Sequence, residues 1–289
     1  MTRPAFLEFT KMHGAGNDYV VLDGVSQDLP PIEPLAARLA DRRFGVGCDQ
    51  ILVVRPSQSA DFRMDIYNQD GSRAEMCGNG IRAFFKFVRD RGLTAKDEIG
   101  VETLAGVVRP RSAGRDLVLV DMGRPFLAPS KIPTTLGPPD GPVLDVPLLV
   151  DGERVLVSSV GMGNPHCILY VPDVDAAPVA TLGPRLEHHP AFPNRTNVEF
   201  VEVATRRRLR QRTWERGVGE TLACGSGACA VAVATILRGA CERRVEVVLR
   251  GGTLELEWAS DDGPLLMTGP AAEVFTGRFP LDAERGRGD

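Results

Sequence analysis

Along the chain, short runs in which apolar and β-branched residues recur at every second position are separated by a few stretches in which they recur every three or four. A period of two marks strands whose side chains point to opposite faces, and a period near 3.6 marks amphipathic helices. The pattern predicts strands over residues 6–11, 19–23, 50–55 and 62–68. A helix is expected over 33–43, with Pro34 near its start, where a missing amide is tolerated. A second is expected over 81–91, where Ile81, Phe84, Phe85 and Val88 share one face and Gly92 supplies a stop. After strands over 101–103, 107–111 and 116–120 comes a stretch with seven prolines between Pro125 and Pro147, and the domain boundary is placed at its start. The second half follows the same plan, with strands over 155–160, 166–171, 197–203 and 209–214, a strongly apolar helix over 227–238, then strands from Val245 to Arg278. Strands and helices in both halves give a mixed α/β (α+β) fold of two domains, 1–124 and 125–272. The tail from Glu284 to Asp289 reads as disordered.

The two halves share more than a plan. Cys77-Gly-Asn-Gly is echoed by Cys224-Gly-Ser-Gly, and Gly14-Ala-Gly-Asn17 by Gly161-Met-Gly-Asn164; 224 − 77 and 164 − 17 are both 147. Two independent matches at one offset argue for two copies of a unit. The same offset pairs Asn68 with Glu215 and Gln50 with Asn197, without identity. If two like domains face each other about a pseudo-twofold axis, equivalent positions approach a cleft from opposite sides, one cysteine from each. One thiol on each face of a carbon is what inversion of configuration requires.

Composition narrows the alternatives. At 289 residues, 43% hydrophobic and 25% charged, with a formal net charge of −4, the chain has ample material for two cores and no excess positive charge to draw it to nucleic acid or an anionic membrane. The arginine-rich run 205–213 reads as a strand with a solvated basic face. No signal peptide is read at the start, and the longest apolar run is too short to cross a bilayer. Cytoplasmic location and a small-molecule substrate are therefore expected. The six cysteines form no CxxC pair and four histidines are too few to join them in a zinc site, so neither a disulfide scaffold nor a metal is expected. Cys48, Cys167, Cys229 and Cys241 read as buried apolar residues. The Gly-x-Gly-Asn segments are too short for a dinucleotide fingerprint, no P-loop is present, and no lysine stands in a setting that marks a pyridoxal phosphate Schiff base. The reading is cofactor-free.

Cys77 and Cys224 each stand at the entry to an expected helix, followed by Gly-x-Gly. The unpaired amides of a helix's first turn make an anion site, and glycine lets an anion come close. The same positive end favours a thiolate: an ordinary cysteine titrates near about 8.5, one at a helix N-terminus as low as roughly 3.5 to 7.5. One local design can hold a carboxylate and ready a base beside it, and two such ends would stabilise the charge that develops when an α-proton leaves. His166, after Asn164-Pro165, and Glu215, after Trp214, could tune a thiol or receive a substrate ammonium. His13 has weaker support, and His188-His189 read as surface.

These segments resemble the diaminopimelate epimerase family: KMHGAGNDYVVLD (11–23), RRFGVGCDQ (42–50), YNQDGSRAEMCGNGIR (67–82), GNPHC (163–167), NRTNVEF (194–200), ERGVGETLACGSGACA (215–230) and VFTGR (274–278). The resemblance spans nearly the whole chain. It implies two pseudo-symmetric domains, each a strand-rich barrel-like unit around a central helix, with a last strand at about 273–280 returning to the first domain. It implies a homodimer, and interconversion of LL- and meso-2,6-diaminopimelate without cofactor. Cys77 and Cys224 would be the alternating base and acid, with amides at Gly78, Asn79, Gly225 and Ser226 holding the reacting carboxylate. Asn17, Gln50, Asn68, Asn164, Asn197, Glu215 and Arg216 would bind the remaining groups, and His166 and Glu215 would modulate the thiols. Tyr19 departs from the phenylalanine common there. Two alternatives stay open: a two-thiol racemase of the proline racemase or hydroxyproline epimerase kind, whose members usually carry histidine where this chain has Asn79, and an inert amino-acid-binding protein.

Overall fold

A computed structural model describes residues 6–75 and 77–281; the tail expected to be disordered lies outside them. In the first half the strands are β1 (Phe6–Gly14), β2 (Asn17–Asp23), β3 (Gln50–Arg55), β4 (Phe62–Asn68), β5 (Arg73–Ala74), β6 (Val101–Thr103), β7 (Gly106–Val108), β8 (Arg111–Ser112) and β9 (Leu117–Asp121), with helices α1 (Ala36–Ala40) and α2 (Gly78–Asp90). The second half has β10 (Val143–Val150), β11 (Glu153–Gly161), β12 (Pro165–Tyr170), helix α3 (Val179–Glu187), β13 (Asn197–Thr205), β14 (Arg208–Glu215), β15 (Gly219–Thr221), helix α4 (Gly225–Leu237), β16 (Arg244–Leu249), β17 (Gly252–Glu257), β18 (Leu266–Pro270) and β19 (Ala272–Pro280). Among the described residues, no helix is long and apolar enough to cross a membrane.

The chain divides into two compact units, one of residues 1–118 with 271–289 and one of 119–270. In the first, the sheet runs β19-β1-β2-β3-β4-β6-β7; in the second it runs β10-β11-β12-β13-β14-β16-β17-β18-β9. β1 and β11, and likewise α2 and α4, begin and end 147 residues apart. The equivalence extends to register. β2 pairs with β3 in parallel, Tyr19 opposite Gln50, as β12 pairs with β13, His166 opposite Asn197. β19 lies antiparallel to β1 on the edge that β10 occupies beside β11, so the last strand closes the first unit's sheet.

Each sheet wraps its own helix. Residues of α4 are buried nearly all round, as its composition of Ala, Val, Ile and Cys predicts. Buried α2 residues include Phe84, Phe85 and Val88, but also Arg82, at 0% exposure. Three sequence expectations change. The 33–43 helix shortens to a 3₁₀ turn and five α-helical residues, ending at Asp41, whose carboxylate takes the amides of Arg43 and Phe44. The helix expected from Ile81 starts at Gly78, because Cys77 itself caps it. The proline-rich stretch contains the front of β10, an edge strand, where proline needs no ladder partner on its open side. Gly14-Ala-Gly-Asn17 is a tight hairpin turn, Ala15 and Gly16 both having positive φ (54° and 86°), as a two-residue loop with the sheet's twist demands. The arginine-rich run is β14 with its approach, its basic face neutralised strand to strand: Arg208 meets Glu246, Arg210 meets Asp175 and Glu202, and Arg212 meets Glu220.

Candidate functional site

Both cysteines singled out by the repeat are helix N-caps with extended backbone (Cys77 φ −141°, ψ 109°; Cys224 φ −119°, ψ 111°). In each, sulfur replaces the usual capping oxygen. Gly80 N donates to Cys77 Sγ and Gly227 N to Cys224 Sγ, both at 3.3 Å. The first intrahelical bonds are Ile81 N to Cys77 O and Ala228 N to Cys224 O. Gly78 and Asn79, and equally Gly225 and Ser226, thus occupy the first two helical positions, whose amides point out of the N-terminus toward an incoming anion.

In the first unit, the Tyr19 hydroxyl lies 3.2 Å from Cys77 Sγ and donates to Asn17 Oδ1. Asn17 Oδ1 is itself 3.8 Å from the sulfur, and its Nδ2 donates to Asp49 at 2.7 Å. Gln50 and Asn68 face each other across β3 and β4, Gln50 Nε2 donating to Asn68 Oδ1 at 3.0 Å. Burial, then the nearby Cys77, pushes the Tyr19 phenol well above its usual range, so it stays protonated. Beneath Asn79, Arg82 Nη2 donates to its Oδ1 at 2.9 Å and Nη1 to Gly78 O at 3.3 Å, so a buried guanidinium braces the first turn.

In the second unit, Cys224 is buried and lies 3.5 Å from Ser226 Oγ. His166, wholly buried, bonds through Nδ1 to Glu199 Oε1 at 2.8 Å and through Nε2 to Asn164 Oδ1 at 2.9 Å. Asn197 Nδ2 donates to Pro165 O, and its Oδ1 receives the Arg216 amide at 3.0 Å. Glu215 accepts from the Thr221 hydroxyl. The Arg216 guanidinium is exposed and donates to Asn194 O, so in this structure it grips backbone. Burial first, then the Glu215 and Glu199 carboxylates, push the Cys224 thiol well up, against the opposing pull of Ser226 and the Gly227 amide. Desolvation therefore outweighs the helix terminus here, and the thiolate expected from capping alone becomes a resting thiol.

Glu199, Gln211, Thr213 and Arg82 were not singled out from sequence, and Tyr19 was noted only as a departure from the usual phenylalanine, although the repeat carried a signal: Tyr19 lies 147 residues before His166, and Leu52 the same distance before Glu199. One ligand atom each from His166, Glu199 and Cys224 falls within 4.8 Å of the others, a grouping that could hold a metal ion. Hydrogen bonds already engage that carboxylate and both ring nitrogens.

The family model for diaminopimelate epimerase matches residues 9–127 and 158–274, covering both half-sites. The chain belongs to the diaminopimelate epimerase family. It is 52% identical over 281 residues to the diaminopimelate epimerase of Moorella thermoacetica, a match covering 96% of this chain and 100% of that one. To the diaminopimelate epimerase of Desulforudis audaxviator it is 53% identical over 281 residues, covering 94% and 99%. Among solved structures, a hydroxyproline epimerase from Agrobacterium vitis has a TM-score of 0.70 at 16% identity (98% and 94% covered), and a PhzF-family phenazine biosynthesis protein from Bacillus anthracis 0.69 at 15% (96% and 99% covered). At such identities these two share the fold alone. Both the sheet-rich two-unit α+β architecture and the family expected from the sequence are thereby shown.

Proposed function

We propose that the protein interconverts LL- and meso-2,6-diaminopimelate by two-base proton transfer at the α-carbon, without cofactor. The observation that carries the reading is the duplicated N-cap: in both units a cysteine sulfur accepts from the third residue of its helix at 3.3 Å, beside two outward-facing amides. The relatives at 52% and 53% identity, both named diaminopimelate epimerase, support the substrate.

In this reading the two half-sites serve one substrate. The α-carboxylate is held by the amides of Gly78, Asn79, Gly225 and Ser226, and the two helix ends stabilise the charge that develops as the α-proton departs. One thiolate takes that proton, the opposite thiol delivers one to the other face, and the roles exchange in the reverse direction. The elevated Cys224 thiol fits a resting proton donor. Asn17, Gln50, Asn68, Asn164, Asn197 and Glu215 supply acceptors and donors for the amino groups, and Arg216 turns from Asn194 O to the distal carboxylate, which a guanidinium fork suits. A site built for a second amino-acid head group rejects simple amino acids by leaving those groups unpaired. We further infer that the enzyme works in the cytoplasm as a homodimer; exposed Phe6, Val274 and Phe275 on the paired strands β1 and β19 support an apolar contact there.

The test is incubation of the reduced protein with LL-diaminopimelate in deuterated water, without cofactor. The expected product is the meso isomer carrying one deuterium at the inverted carbon; absence of both inversion and exchange, with Cys77 and Cys224 confirmed as thiols, overturns the assignment.

A further inference from the structure

Tyr19 is wholly buried, and its hydroxyl stands between Asn17 and the first unit's capping sulfur. The departure from phenylalanine at this position adds one oxygen to a buried ring, and that oxygen lies 3.2 Å from Cys77 Sγ. Strand geometry makes Asn17 its neighbour, since residues 17 and 19 point to the same face of β2. The orientation of the Asn17 amide is fixed from behind: Nδ2 donates to Asp49 Oδ2 at 2.7 Å, and Asp49 is held by Arg42 at 2.7 Å and by the Asp18 amide at 3.1 Å. A carboxylate can only accept, so the other end of the amide, Oδ1, is aimed at the phenol and, 3.8 Å away, at the sulfur. Oδ1 can only accept too. The hydroxyl therefore directs its single proton to Asn17 and turns a lone pair toward Cys77.

The second unit builds the same contact from another residue. His166 and Asn164 stand 147 residues after Tyr19 and Asn17, and Nε2 of the ring lies 2.9 Å from Asn164 Oδ1. In both halves this strand position meets the carbonyl oxygen of the hairpin asparagine. What is peculiar to the first half is a group that can face sulfur in either sense. A thiol donates to the phenol oxygen, whereas a thiolate can only accept, and the hydroxyl then swings its proton from Asn17 to the sulfur. The Gly80 amide, also 3.3 Å from Sγ, donates and cannot accept.

We propose that Tyr19 is a positioning residue acting through Cys77: its hydroxyl accepts from the thiol, donates to the thiolate, and in the second state releases Asn17 Oδ1 to a substrate ammonium. The proposal rests on the two-thiol reading above, in which Asn17 meets an amino group. Protons balance at every stage. Cys77 exchanges its proton with the substrate α-carbon, while the phenol keeps its O–H bond and changes only the direction in which it points. Among the described residues, the charged and titratable groups around the phenol are Cys77 at the head of α2, Arg82 within α2, and Asp49 in the turn before β3, paired with Arg42. Its ladder neighbours, Met12 of β1 and Gln50 of β3, carry no charge. Burial holds the phenol well above its usual range, which keeps its own proton in place while the sulfur gains and loses one.

The experiment uses Tyr19→Phe, which removes the oxygen and keeps the ring. The chain has three tyrosines, so in protein labelled with ¹³Cζ-tyrosine the Tyr19 signal is assigned by its loss in that variant. This signal should move as pH passes through the midpoint of Cys77 alkylation by iodoacetamide, and should stay fixed over the same range in Cys77→Ala. In a Cys224→Ala background, with Cys77 modification counted by peptide mass spectrometry, Tyr19→Phe should raise the alkylation midpoint by about 0.5 to 1 pH unit, because a thiolate gains more from a donor than a thiol gains from an acceptor. With both cysteines present, Tyr19→Phe should lower kcat by about 3- to 10-fold in both directions and change KM by less than about twofold, since Asn17 Oδ1 stays available. A Tyr19 signal indifferent to the state of Cys77, or an alkylation midpoint unchanged by Tyr19→Phe, overturns the proposal. So does a raised KM at unchanged kcat, which would make the phenol a support for Asn17 alone. Full epimerisation by Cys77→Ala would instead overturn the two-thiol reading on which the proposal stands.

Discussion

The two half-sites share a backbone and differ in nearly every group that touches the sulfur. Cys77 is partly exposed, meets a phenol and stands over a helix braced by the Arg82 guanidinium. Cys224 is buried, meets an imidazole and stands over a helix whose position equivalent to Arg82 is Cys229. The difference teaches that pseudo-symmetry in a fold need not be symmetry in chemistry. Duplicated N-caps present two equivalent amide-lined turns, while the surrounding side chains give each thiol its own electrostatic setting. Under the proposed two-thiol reaction, whose substrates are stereoisomers, the two bases have reason to diverge.

The largest test of this comparison is removal of each sulfur. Cys77→Ala and Cys224→Ala should each lower epimerisation by about 10³-fold or more, since each deletes one proton-transfer partner. Both proteins should remain folded by circular dichroism. The comparison sharpens if isotope exchange at the α-carbon survives in one variant and for one isomer only; full turnover in either variant breaks the assignment of paired bases.

A smaller effect contrasts the glycines that approach the sulfurs. In Gly227→Ala the new methyl meets the Glu199 carboxylate, its Cβ 2.4 Å from an oxygen, whereas in Gly80→Ala the nearest atoms are Cys77 Cβ at 3.2 Å and Sγ at 3.3 Å. Overpacking of the first kind should destabilise by about 1–3 kcal/mol, and the second by less than about 1 kcal/mol. Urea unfolding of both variants measures it, and equal losses would mean that the Glu199 carboxylate yields as readily as the thiol side chain.

The smallest effect concerns pH. The first unit carries a network of Lys11, Asp18, Arg42 and Asp49 at the turn before Gln50; among the described residues, the positions equivalent to these in the second unit, Ser158, Pro165, His189 and Thr196, include no such ion pairs. Burial raises the Asp18 carboxyl, but hydrogen bonds from Arg42 and Lys11 prevail and bring it down from 3.8 to about 2. A depressed carboxylate contributes stability that is fully present above its unfolded value and lost as pH falls through the folded one. Stability from Asp18 should thus be intact above pH 4 and fade toward pH 2, and Asp18→Asn should cost on the order of 1 kcal/mol at neutral pH, allowing for the half-exposed Arg42. Comparing urea midpoints of the two proteins at pH 6 and pH 2.5 checks this; a gap that stays the same at both pH values would remove Asp18 from the account.

Much of the fold was legible because period-two and period-3.6 patterns are local, and most of the strands and both central helices were found within a few residues. Their limits moved where a side chain intervened, as when Cys77 capped α2 ahead of its first apolar residue. The short helix α3 was missed, with Gly183 and Pro184 inside it weakening the pattern. So was β10, whose Pro147 ends the proline-rich stretch and is tolerated because the strand lies at a sheet edge. In the candidate site, Cys77, Cys224, His166 and Glu215 could be singled out by motif and offset, since those signals are written in single stretches of chain.

What the sequence determined by itself is the duplication and the chemistry of its two turns: a cysteine followed by Gly-x-Gly at the start of a helix fixes a sulfur at an amide-lined N-terminus wherever the helix lies. What only the tertiary structure decided is each sulfur's environment. Glu199 reads as one acidic residue in an alternating strand until parallel pairing of β12 with β13 sets it beside His166 and antiparallel pairing with β14 supplies Thr213 and Gln211. Burial then reverses the helix terminus's effect on Cys224. The physical reason is range: capping acts over three residues of one chain segment, whereas desolvation and charge pairing depend on strands brought together from far apart in sequence.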